Sequence, residues 1–410
     1  MKTDLDRLMA TYNLDVIFVL GGEEPNTQRR YLLNGADANG FAIKVRGQEP
    51  IAIVNPMEVD EAAKSGLKIY SDNDFGKAKL RKQFKDDLGQ VDQVYMTTII
   101  EKLKLQGRVA FFGTGNIYNA VRLSREAFPA LPGIEVVSDY AVGRLFEMAY
   151  RTKDPAEVVQ LKQAAALSSE VVKATHAFLT GLHGNADGSV TDANGKLVTI
   201  GDVKRFIGYQ LLERGLENAD GMIFAQGRDA GVPHSSGQDY QPLHTGQSIV
   251  FDFFPRLTDS GYFHDMTRTW SLGYATPEVQ TAYDQVMEVF HLVGDTLKVG
   301  DDTSRYQQLT CDIFEKYGHK TPRTDPGTDE GYVHSLGHGI GLNIHEAPGF
   351  SNYSADEKVE PGNVITVEPG LYYPDRGFGV RVEDTVYVDE HGTIHTLTDF
   401  PYDLVVPLNG

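Results

Sequence analysis

Two pairs of acidic residues each flank a turn symmetrically, in strands that are otherwise apolar. Asp252 and Asp265 lie on either side of a Thr-Asp-Ser-Gly turn, and Glu368 and Glu383 lie on either side of an Asp-Arg-Gly turn. An antiparallel hairpin at each turn would bring the two acids of a pair close together across its ladder. The sequence therefore predicts two similar hairpins that carry four acids, and this pattern constrains the fold more than any other feature.

The four acids need a compensating positive charge if they are buried together. Buried carboxylates repel one another, and each costs several kcal/mol to remove from water. A divalent metal ion would balance them. The alternative is that each acid faces solvent or pairs with a neighbouring arginine, namely Arg256, Arg268 or Arg381. For one acid alone we favour this alternative, whereas four acids in apolar strands favour the metal.

Nitrogen ligands are available in the segment 334–346, which contains His334, His338 and His345 and has glycine at three alternate positions. Imidazoles ligate metals or transfer protons, and glycines let the backbone approach a site closely. The glycines interrupt any helix, so this is not the helical His-Glu-x-x-His motif. A site with a majority of carboxylates suits a pair of Mn²⁺-like ions better than a structural zinc ion.

Such a pair of ions indicates a reaction class. Two metal ions about 3.5–4 Å apart lower the pKa of a shared water molecule and polarise a substrate carbonyl group. They also stabilise the oxyanion of a tetrahedral intermediate. The chain is therefore predicted to hydrolyse an amide or an ester.

Acidic residues outnumber basic residues in the whole chain. The 38 lysines and arginines against 57 aspartates and glutamates give a formal net charge of −19, so nucleic acid and anionic membranes are poor partners. No stretch approaches the roughly 20 apolar residues of a membrane span, and the charged residues Lys2 and Asp4 are unlike an export signal. The single cysteine, Cys311, cannot form an internal disulfide. We expect a cytoplasmic protein.

The pattern of elements changes near residue 150. Residues 1–150 alternate short apolar runs with helical stretches and predict an α/β domain with a mixed sheet. This part has no glycine fingerprint for a dinucleotide and no cluster of His, Cys or carboxylates, so we expect it to support the protein or to mediate oligomerisation. Asp154 and Pro155 then begin a long helix, and residues 151–410 are predicted to form the catalytic domain.

Several ordered motifs resemble those of a known family, the pita-bread metallopeptidases, and specifically their Xaa-Pro branch, which contains prolidase and aminopeptidase P. The resemblance covers roughly residues 150–405 and implies an α/β N-terminal domain followed by an α+β pita-bread (creatinase/aminopeptidase-like) catalytic domain. The motifs are Asp265-Met266-Thr267-Arg268-Thr269, Gly337-His338-Gly339-Ile340-Gly341, His345-Glu346, Thr366-Val367-Glu368-Pro369-Gly370 and Val380-Arg381-Val382-Glu383-Asp384.

The resemblance implies a dinuclear centre in which Asp265 and Glu383 bridge both ions. The two divalent ions are expected to be Mn²⁺, with Co²⁺ or Zn²⁺ as alternatives. The five implied ligands are Asp252, Asp265, His338, Glu368 and Glu383.

The resemblance also implies roles for residues around the metal ions. Glu368 would carry a proton from the metal-bridging water toward the leaving amine. His234 resembles a histidine near the scissile carbonyl, and His345 resembles one that binds the substrate and stabilises the transition state. His334 fits a further position in the substrate pocket, and Arg381 resembles an arginine beside the last ligand.

The implied activity is hydrolysis of the bond before proline in Xaa-Pro peptides, by a homodimer acting as a dipeptidase or an aminopeptidase. Two departures bear on it. Phe254 stands where the family has glycine, within a long Asp252–Asp265 hairpin, and Gly349 stands where some prolidases have an arginine for the proline carboxylate. The alternatives are a creatinase-like hydrolase that needs no metal and a catalytically silent binding module. Neither requires the complete ligand set, which this chain retains.

Overall fold

The structure is a computed structural model that describes residues 4–21, 26–85, 87–352, 354 and 357–409. The chain divides into an N-terminal unit, residues 1–149, and a C-terminal unit, residues 150–410. The prediction that the charged amino terminus is unlike an export signal rests partly on Lys2. This residue lies outside the described residues. Within those residues, no helix combines the length and the apolar character needed to cross a bilayer.

The N-terminal unit is built on one mixed sheet. Its strands are β1 (Val16–Leu20), β2 (Gly40–Val45), β3 (Ile51–Val54), β4 (Lys68–Ser71), β5 (Gly107–Gly113) and β6 (Ile134–Val136). In the described residues their order is β4-β3-β2-β1-β5-β6, and β2 runs antiparallel to both of its neighbours. The predicted mixed sheet is confirmed. Strand β4, at the edge of the sheet, has only exposed or half-buried residues.

Helices of the N-terminal unit cover this sheet. They are α1 (Leu5–Thr11), α2 (Thr27–Leu32), α3 (Val59–Ala63), α4 (Lys77–Gln83), α5 (Leu88–Leu103), α6 (Ile117–Arg122), α7 (Tyr140–Gly143) and α8 (Leu145–Tyr150). Helix α5 buries Tyr95 and Ile99 in the core that also contains Phe18 of β1. Burial of this apolar surface is the main stabilising contribution to such a unit.

The C-terminal unit contains several small sheets. Its strands are β7 (His183–Gly184), β8 (Val190–Thr191), β9 (Leu216–Glu217), β10 (Ile223–Gln226), β11 (Ser248–Phe253), β12 (Arg256–Leu257), β13 (Met266–Leu272), β14 (Val364–Val367), β15 (Gly370–Tyr373), β16 (Phe378–Arg381), β17 (Asp384–Val388), β18 (Ile394–Thr396) and β19 (Val405–Val406). One sheet has the order β10-β11-β13-β19, another has the order β14-β17-β18, and β15 pairs with β16.

Four long helices of the described C-terminal unit pack on these sheets. They are α9 (Pro155–Thr180), α10 (Ile200–Glu213), α11 (Pro277–Thr296) and α12 (Thr303–Lys316). Proline occupies the first turn of α9 and of α11, where the missing N–H has no helical partner to lose. The helix start predicted at Pro155 is confirmed.

Two apolar clusters surround the strands that carry the acids. One cluster joins α9 and α10 to β11 and β13 and includes Phe251 and the fully buried Trp270. The other joins α11 and α12 to β14 and β16 and includes Val286 and Val380. Because both clusters are closely packed, the strand ends between them are held in fixed positions.

The hairpin predicted for Asp252 and Asp265 forms with a different register. Asp252 in β11 faces Thr267 in β13, and the ladder ends at Phe253 and Met266. Asp265 is therefore a diagonal neighbour of Asp252, so the two acids are close across the hairpin, as predicted, but do not face each other directly. The reason is that the connection leaves the ladder to form β12, which pairs with β9.

The hairpin predicted for Glu368 and Glu383 is confirmed. Strand β14 pairs with β17 and β15 pairs with β16 in one continuous register, with two residues on each arm between the two ladders. Glu368 and Glu383 lie in this gap and face each other by register. Glu383 instead makes its backbone bridge with Thr267 of β13, which joins the second hairpin to the first.

Candidate metal centre

Asp265, His338 and Glu383 bring their side chains to one buried point. One possible ligand atom from each residue lies within 4.8 Å of the other two. Asp265 exposes 4% of its surface, Glu383 exposes 2% and His338 exposes 9%. The structure thus brings together three of the predicted ligands that are far apart in the sequence.

Backbone pairing holds the two acids of this group beside each other. Asp265 directly precedes β13, and Glu383 directly precedes β17. The Glu383 N–H donates to the Thr267 carbonyl at 3.0 Å, and the Thr267 N–H donates to the Glu383 carbonyl at 3.3 Å. The Thr385 hydroxyl donates to the Asp265 carbonyl at 2.7 Å. The strand geometry therefore fixes both carboxylates before any ligand binds.

Each of these two carboxylates has an oxygen atom without a protein donor. Asp265 Oδ1 and Glu383 Oε1 are buried and accept no hydrogen bond from the described residues. Burial and the nearby Glu383 raise the pKa of Asp265 well above its ordinary value, and burial and Glu368 do the same to the pKa of Glu383. Two buried acids with unsatisfied oxygens call for a cation.

His338 presents a lone pair to the same point. Its Nδ1 lies 3.0 Å from the Gly339 carbonyl oxygen, which can only accept, so Nδ1 carries the hydrogen and Nε2 is free to ligate. Burial lowers the pKa of His338 to about 3, and the ring is neutral near pH 7. Nε2 lies 3.8 Å from Asp265 Oδ2 and 3.4 Å from Glu368 Oε1.

Three alternate glycines let the His338 segment pack closely against its surroundings. A Cβ atom on Gly337 would lie 2.1 Å from the Thr366 carbonyl oxygen, and one on Gly339 would lie 2.2 Å from the Ala347 carbonyl oxygen. A Cβ atom on Gly341 would lie 2.5 Å from a carboxylate oxygen of Glu346. The close backbone approach predicted from the glycine pattern is confirmed.

Glu368 lies beside His338 at the edge of the group. Its side chain is 16% exposed. Burial raises the pKa of Glu368 to about 8; Asp252 adds to the shift and Arg381 opposes it. A carboxyl group with a pKa near neutrality can both accept and release a proton under working conditions.

Asp252 is held by a chain of side-chain hydrogen bonds. Arg381 Nη2 donates to Asp252 Oδ2 at 2.5 Å, and Arg381 Nη1 donates to the Tyr372 hydroxyl at 2.6 Å. His334 Nδ1 donates to the Ser335 carbonyl at 2.6 Å, so its Nε2 accepts from the Tyr372 hydroxyl at 2.8 Å. The Arg381 guanidinium group can only donate and His334 Nε2 can only accept, so the direction of each hydrogen bond in this series is fixed. Burial lowers the pKa of His334 to about 3.

The arginine alternative considered for the acids applies to Asp252. Arg381 forms an ion pair with it at 2.5 Å, whereas Arg268 pairs with Asp384 at 2.9 Å and Arg256 pairs with Glu217 at 2.7 Å. Within the described residues, neither Asp265 nor Glu383 has a basic side chain as an ion-pair partner within 4.0 Å, apart from the neutral His338. Arginines therefore do not account for the two most buried acids.

His345 and His234 lie near the group and reach solvent. The ring of His345 is 4.4 Å from the ring of His338, centre to centre, at an angle of 73°. Partial burial and the neighbouring His234 lower the pKa of His345. The two histidines thus lie on the solvent-exposed side of the group.

Sequence reasoning missed the hydroxyl groups that orient the acids. The Thr267 hydroxyl donates to Glu383 Oε2 at 2.7 Å and accepts from Arg381 Nε at 3.2 Å. The Thr366 hydroxyl accepts from the His338 N–H at 3.1 Å. Thr267 lies two residues after Asp265 on the same face of its strand, and this alternation was a usable signal. The part played by Tyr372 had no such signal.

The residues present fit a divalent metal centre. The donor set consists of carboxylates and one neutral imidazole, which suits hard or borderline divalent ions. The group formed by Asp265, His338 and Glu383 contains two carboxylate oxygens without a donor among the described residues and an imidazole nitrogen that is free to ligate. A cation there would offset the repulsion that raises the pKa of both acids.

Comparison with known proteins identifies the family. The model of metallopeptidase family M24 matches residues 159–390, which is more than half of the chain. This protein belongs to metallopeptidase family M24, and it is a peptidase of a family that depends on divalent metal ions.

Individual relatives agree with this assignment. The chain is 25% identical to an uncharacterized peptidase, YqhT, of Bacillus subtilis over 93% of this chain and 94% of the relative. It is 34% identical to an Xaa-Pro dipeptidase of Pyrococcus furiosus over 42% of this chain and 45% of the relative. The solved structure of an Xaa-Pro dipeptidase from Bacillus anthracis is similar with a TM-score of 0.74 at 23% identity, covering 99% of both chains. The predicted fold, an α/β N-terminal domain with a pita-bread catalytic domain, is confirmed.

Proposed function

We propose that this protein is a dinuclear metallopeptidase that hydrolyses the bond before proline in Xaa-Pro peptides. The observation that carries the proposal is the buried pair Asp265 and Glu383, each with an oxygen that lacks a donor among the described residues, beside the free Nε2 of His338. The relatives whose names specify Xaa-Pro dipeptidases support the choice of substrate.

Five residues would hold two divalent ions, for which we propose Mn²⁺, with Co²⁺ or Zn²⁺ as alternatives. Asp265 and Glu383 would be shared between the ions. When bound, the ions supply an acidic water molecule and polarise the scissile carbonyl. The proposed ligands are Asp252, Asp265, His338, Glu368 and Glu383.

The remaining chemistry falls to side chains around the ions. Glu368 accepts a proton from the attacking water and delivers it to the leaving amine of proline. His345 donates a hydrogen bond to the carbonyl oxygen as negative charge develops on it. His234 binds near the same carbonyl, and His334 lines the pocket.

Arg381 has a structural part in this proposal. Its guanidinium group donates to four oxygen atoms. They belong to the side chains of Asp252, Tyr372 and Thr267 and to the Pro233 carbonyl group. Because an arginine fork has fixed geometry, it keeps Asp252 oriented while Thr267 orients Glu383. The carboxylates then need little rearrangement when the ions bind.

Substrate length is the open choice within this activity. Gly349 stands where an arginine would hold the carboxylate of a dipeptide, which favours longer peptides, whereas the relatives named above as dipeptidases favour Xaa-Pro itself. We also propose that the protein is a cytoplasmic homodimer and that its N-terminal unit supports this assembly.

The test is hydrolysis of Ala-Pro and Ala-Pro-Ala by protein that is stripped with a chelator and then supplied with Mn²⁺, Co²⁺ or Zn²⁺. We expect cleavage only after metal is added, and the ratio of the two rates distinguishes a dipeptidase from an aminopeptidase. Ala-Ala serves as the matched substrate without proline. Silence on both proline peptides with every metal would contradict the proposal, and metal-independent cleavage of creatine would favour the creatinase-like alternative.

A further inference from the structure

A buried ion pair lies behind the histidine segment, outside the proposed ligand set. Lys153 Nζ lies 2.8 Å from Glu346 Oε2, and each of the two side chains is only 2% exposed. The partners are 193 positions apart in the sequence. An ammonium and a carboxylate that are buried this deeply are costly to desolvate, so the pair needs a structural or functional explanation.

Glu346 closes the loop that begins at His338. Its N–H donates to the Gly339 carbonyl at 2.7 Å, and the Gly339 N–H donates to the Glu346 carbonyl at 2.9 Å. Glu346 Oε1 accepts from the Asn343 N–H at 2.9 Å and from Asn343 Nδ2 at 3.0 Å. The carboxylate thus binds the interior of a loop whose two ends are His338 and His345.

Lys153 comes from a segment that is fixed to the strand leading to Glu368. The Lys153 N–H donates to the Gly362 carbonyl at 2.8 Å, and Asn363 Nδ2 donates to the Arg151 carbonyl at 2.9 Å. Residues 362 and 363 directly precede β14. The ion pair therefore connects the histidine loop to the base of the strand that carries Glu368.

Glu157, a second acid near Lys153, accepts hydrogen bonds from other groups. Glu157 Oε1 accepts from the Tyr262 hydroxyl at 2.8 Å, and Glu157 Oε2 accepts from the Asp154 N–H at 3.0 Å. The Lys153 ammonium contacts Glu346 instead. Lys153 therefore binds the histidine loop through Glu346, whereas Glu157 binds the segment before Asp265 through Tyr262.

Stability alone does not explain the pair. A buried ion pair is in general no more stabilising than apolar side chains of the same volume, and removal of one partner leaves an uncompensated charge. An ion pair also constrains geometry, because the Glu346 carboxylate is satisfied only where the Lys153 ammonium reaches it.

We propose that Lys153 is a positioning residue, which sets the position of His345 relative to the metal ligands by holding Glu346. This inference rests on the proposed function for its kinetic consequence. The structural consequence, a loop 338–346 held by the Lys153 ammonium, does not depend on the substrate.

The test compares Lys153→Met with the double variant Lys153→Met/Glu346→Gln, which removes both charges. The matched control is Lys173→Met, since Lys173 lies in α9 and pairs with Asp399 at 2.7 Å on the surface. The measurements are kcat and KM on Ala-Pro and Ala-Pro-Ala with saturating Mn²⁺, the urea midpoint, and hydrogen–deuterium exchange of the peptide that spans residues 338–346.

We expect Lys153→Met to lower kcat about 10–100-fold, to lower the urea midpoint and to speed exchange in the loop. The double variant should regain most of the midpoint but neither kcat nor loop protection. Recovery of kcat together with the midpoint would overturn the proposal, because the pair would then serve stability alone. Unchanged kcat and loop exchange in Lys153→Met would also overturn it.

The experiment distinguishes failure of the proposed function from failure of the positioning proposal. If the wild-type protein cleaves neither peptide, the substrate assignment fails, and loop exchange decides the positioning proposal. Exchange that stays fast in the double variant despite a recovered midpoint supports it, and exchange that returns to the wild-type rate overturns it. Lys173→Met is expected to match the wild-type protein in every measurement.

Discussion

Thr267 donates its hydroxyl hydrogen to Glu383 Oε2 at 2.7 Å and leaves Oε1 without a donor among the described residues, in a carboxylate that forms one buried group with Asp265 and His338. The same hydroxyl accepts from Arg381 at 3.2 Å. One threonine thus links Glu383 to the arginine that holds Asp252. Orientation of this kind governs how tightly a metal centre binds its ions.

Thr267→Val should weaken metal binding. Valine keeps the shape of threonine but removes the donor, so we expect Mn²⁺ affinity to fall about 10–100-fold. Calorimetric titration of chelator-stripped protein measures this. Thr267→Ser retains the hydroxyl and is the matched control, expected to bind Mn²⁺ nearly as tightly as the wild-type protein. Equal affinity for the valine variant would show that Glu383 needs no orienting donor.

Asp265→Asn should abolish metal binding and activity and leave the fold intact. The amide keeps the volume of the carboxylate but removes the shared negative ligand. Burial and Glu383 raise the pKa of Asp265, so loss of this charge relieves repulsion, and we expect the stripped variant to unfold at a urea concentration no lower than wild type. Metal analysis and circular dichroism check both parts. Retained turnover would rule out the dinuclear assignment.

His345→Ala should separate turnover from metal binding. His345 lies against His338, with ring centres 4.4 Å apart, but it is outside the group that shares a ligand point. We expect kcat on Ala-Pro-Ala to fall about 10²-fold or more, as for loss of an oxyanion donor, with metal content unchanged. His338→Ala is the contrasting variant and should lose metal. Loss of metal from His345→Ala would mean that this histidine is a ligand.

Glu368 should lower the stability of chelator-treated protein as pH rises from about 6.5 to 8. Its folded pKa is about 8 against an ordinary value of 4.5, so this group holds more proton in the folded state than in the unfolded state, and its contribution to the free energy of unfolding decreases by about 1–2 kcal/mol across this window. Histidines that are buried neutral act in the opposite direction, because a histidine such as His338, with a folded pKa of about 3, is half protonated in the unfolded chain at pH 6.5. The contribution of Glu368 is therefore the difference between the wild-type protein and a variant that cannot titrate at this position.

Urea unfolding at the two pH values measures this slope, and Glu368→Gln is the matched control because it cannot titrate. The variant should show a smaller decrease than the wild-type protein. Added Mn²⁺ should raise the midpoint more at pH 8 than at pH 6.5, since the cation binds the ionised acids. A slope that is equal in the variant and the wild-type protein would contradict the assigned pKa of Glu368.

Gly337→Ala should be strongly destabilising. The added Cβ atom would lie 2.1 Å from the Thr366 carbonyl oxygen, so β14 and the histidine segment would have to separate. Gly294→Ala in α11 is the matched control, since no described atom beyond its chain neighbours and its own helix backbone lies within 4 Å of its Cβ position, and it should stabilise the helix by about 0.5–1 kcal/mol. Thermal unfolding of both variants checks the contrast, and equal midpoints would refute it.

Local patterns allowed much of this structure to be predicted. The register of Glu368 and Glu383 could be predicted from the short turn between two apolar arms. The two arms keep one register on both sides of the residues that separate the two ladders. The register of Asp252 and Asp265 did not follow in the same way. Residues 256–257 leave the ladder to pair with β9, and such a distant partner leaves no trace in the local sequence.

The rest of the site depends on contacts between distant segments. Tyr372 links His334 to Arg381, and Lys153 reaches Glu346 across 193 positions. A tyrosine in a strand and a lysine before a helix are ordinary residues in isolation, so neither carries a local signal of its part. Only the three-dimensional packing shows that they belong to the same site as the acids.

The continuous register of the β14–β17 and β15–β16 ladders has a consequence for engineering. Residues added at the tip of this hairpin, around 374–377, extend both arms equally and leave Glu368 and Glu383 opposite each other. A single residue inserted into one arm would turn one carboxylate to the other face of its strand. The hairpin tip is therefore the site at which this chain should accept a grafted loop or a fused tag while the acid pair stays aligned.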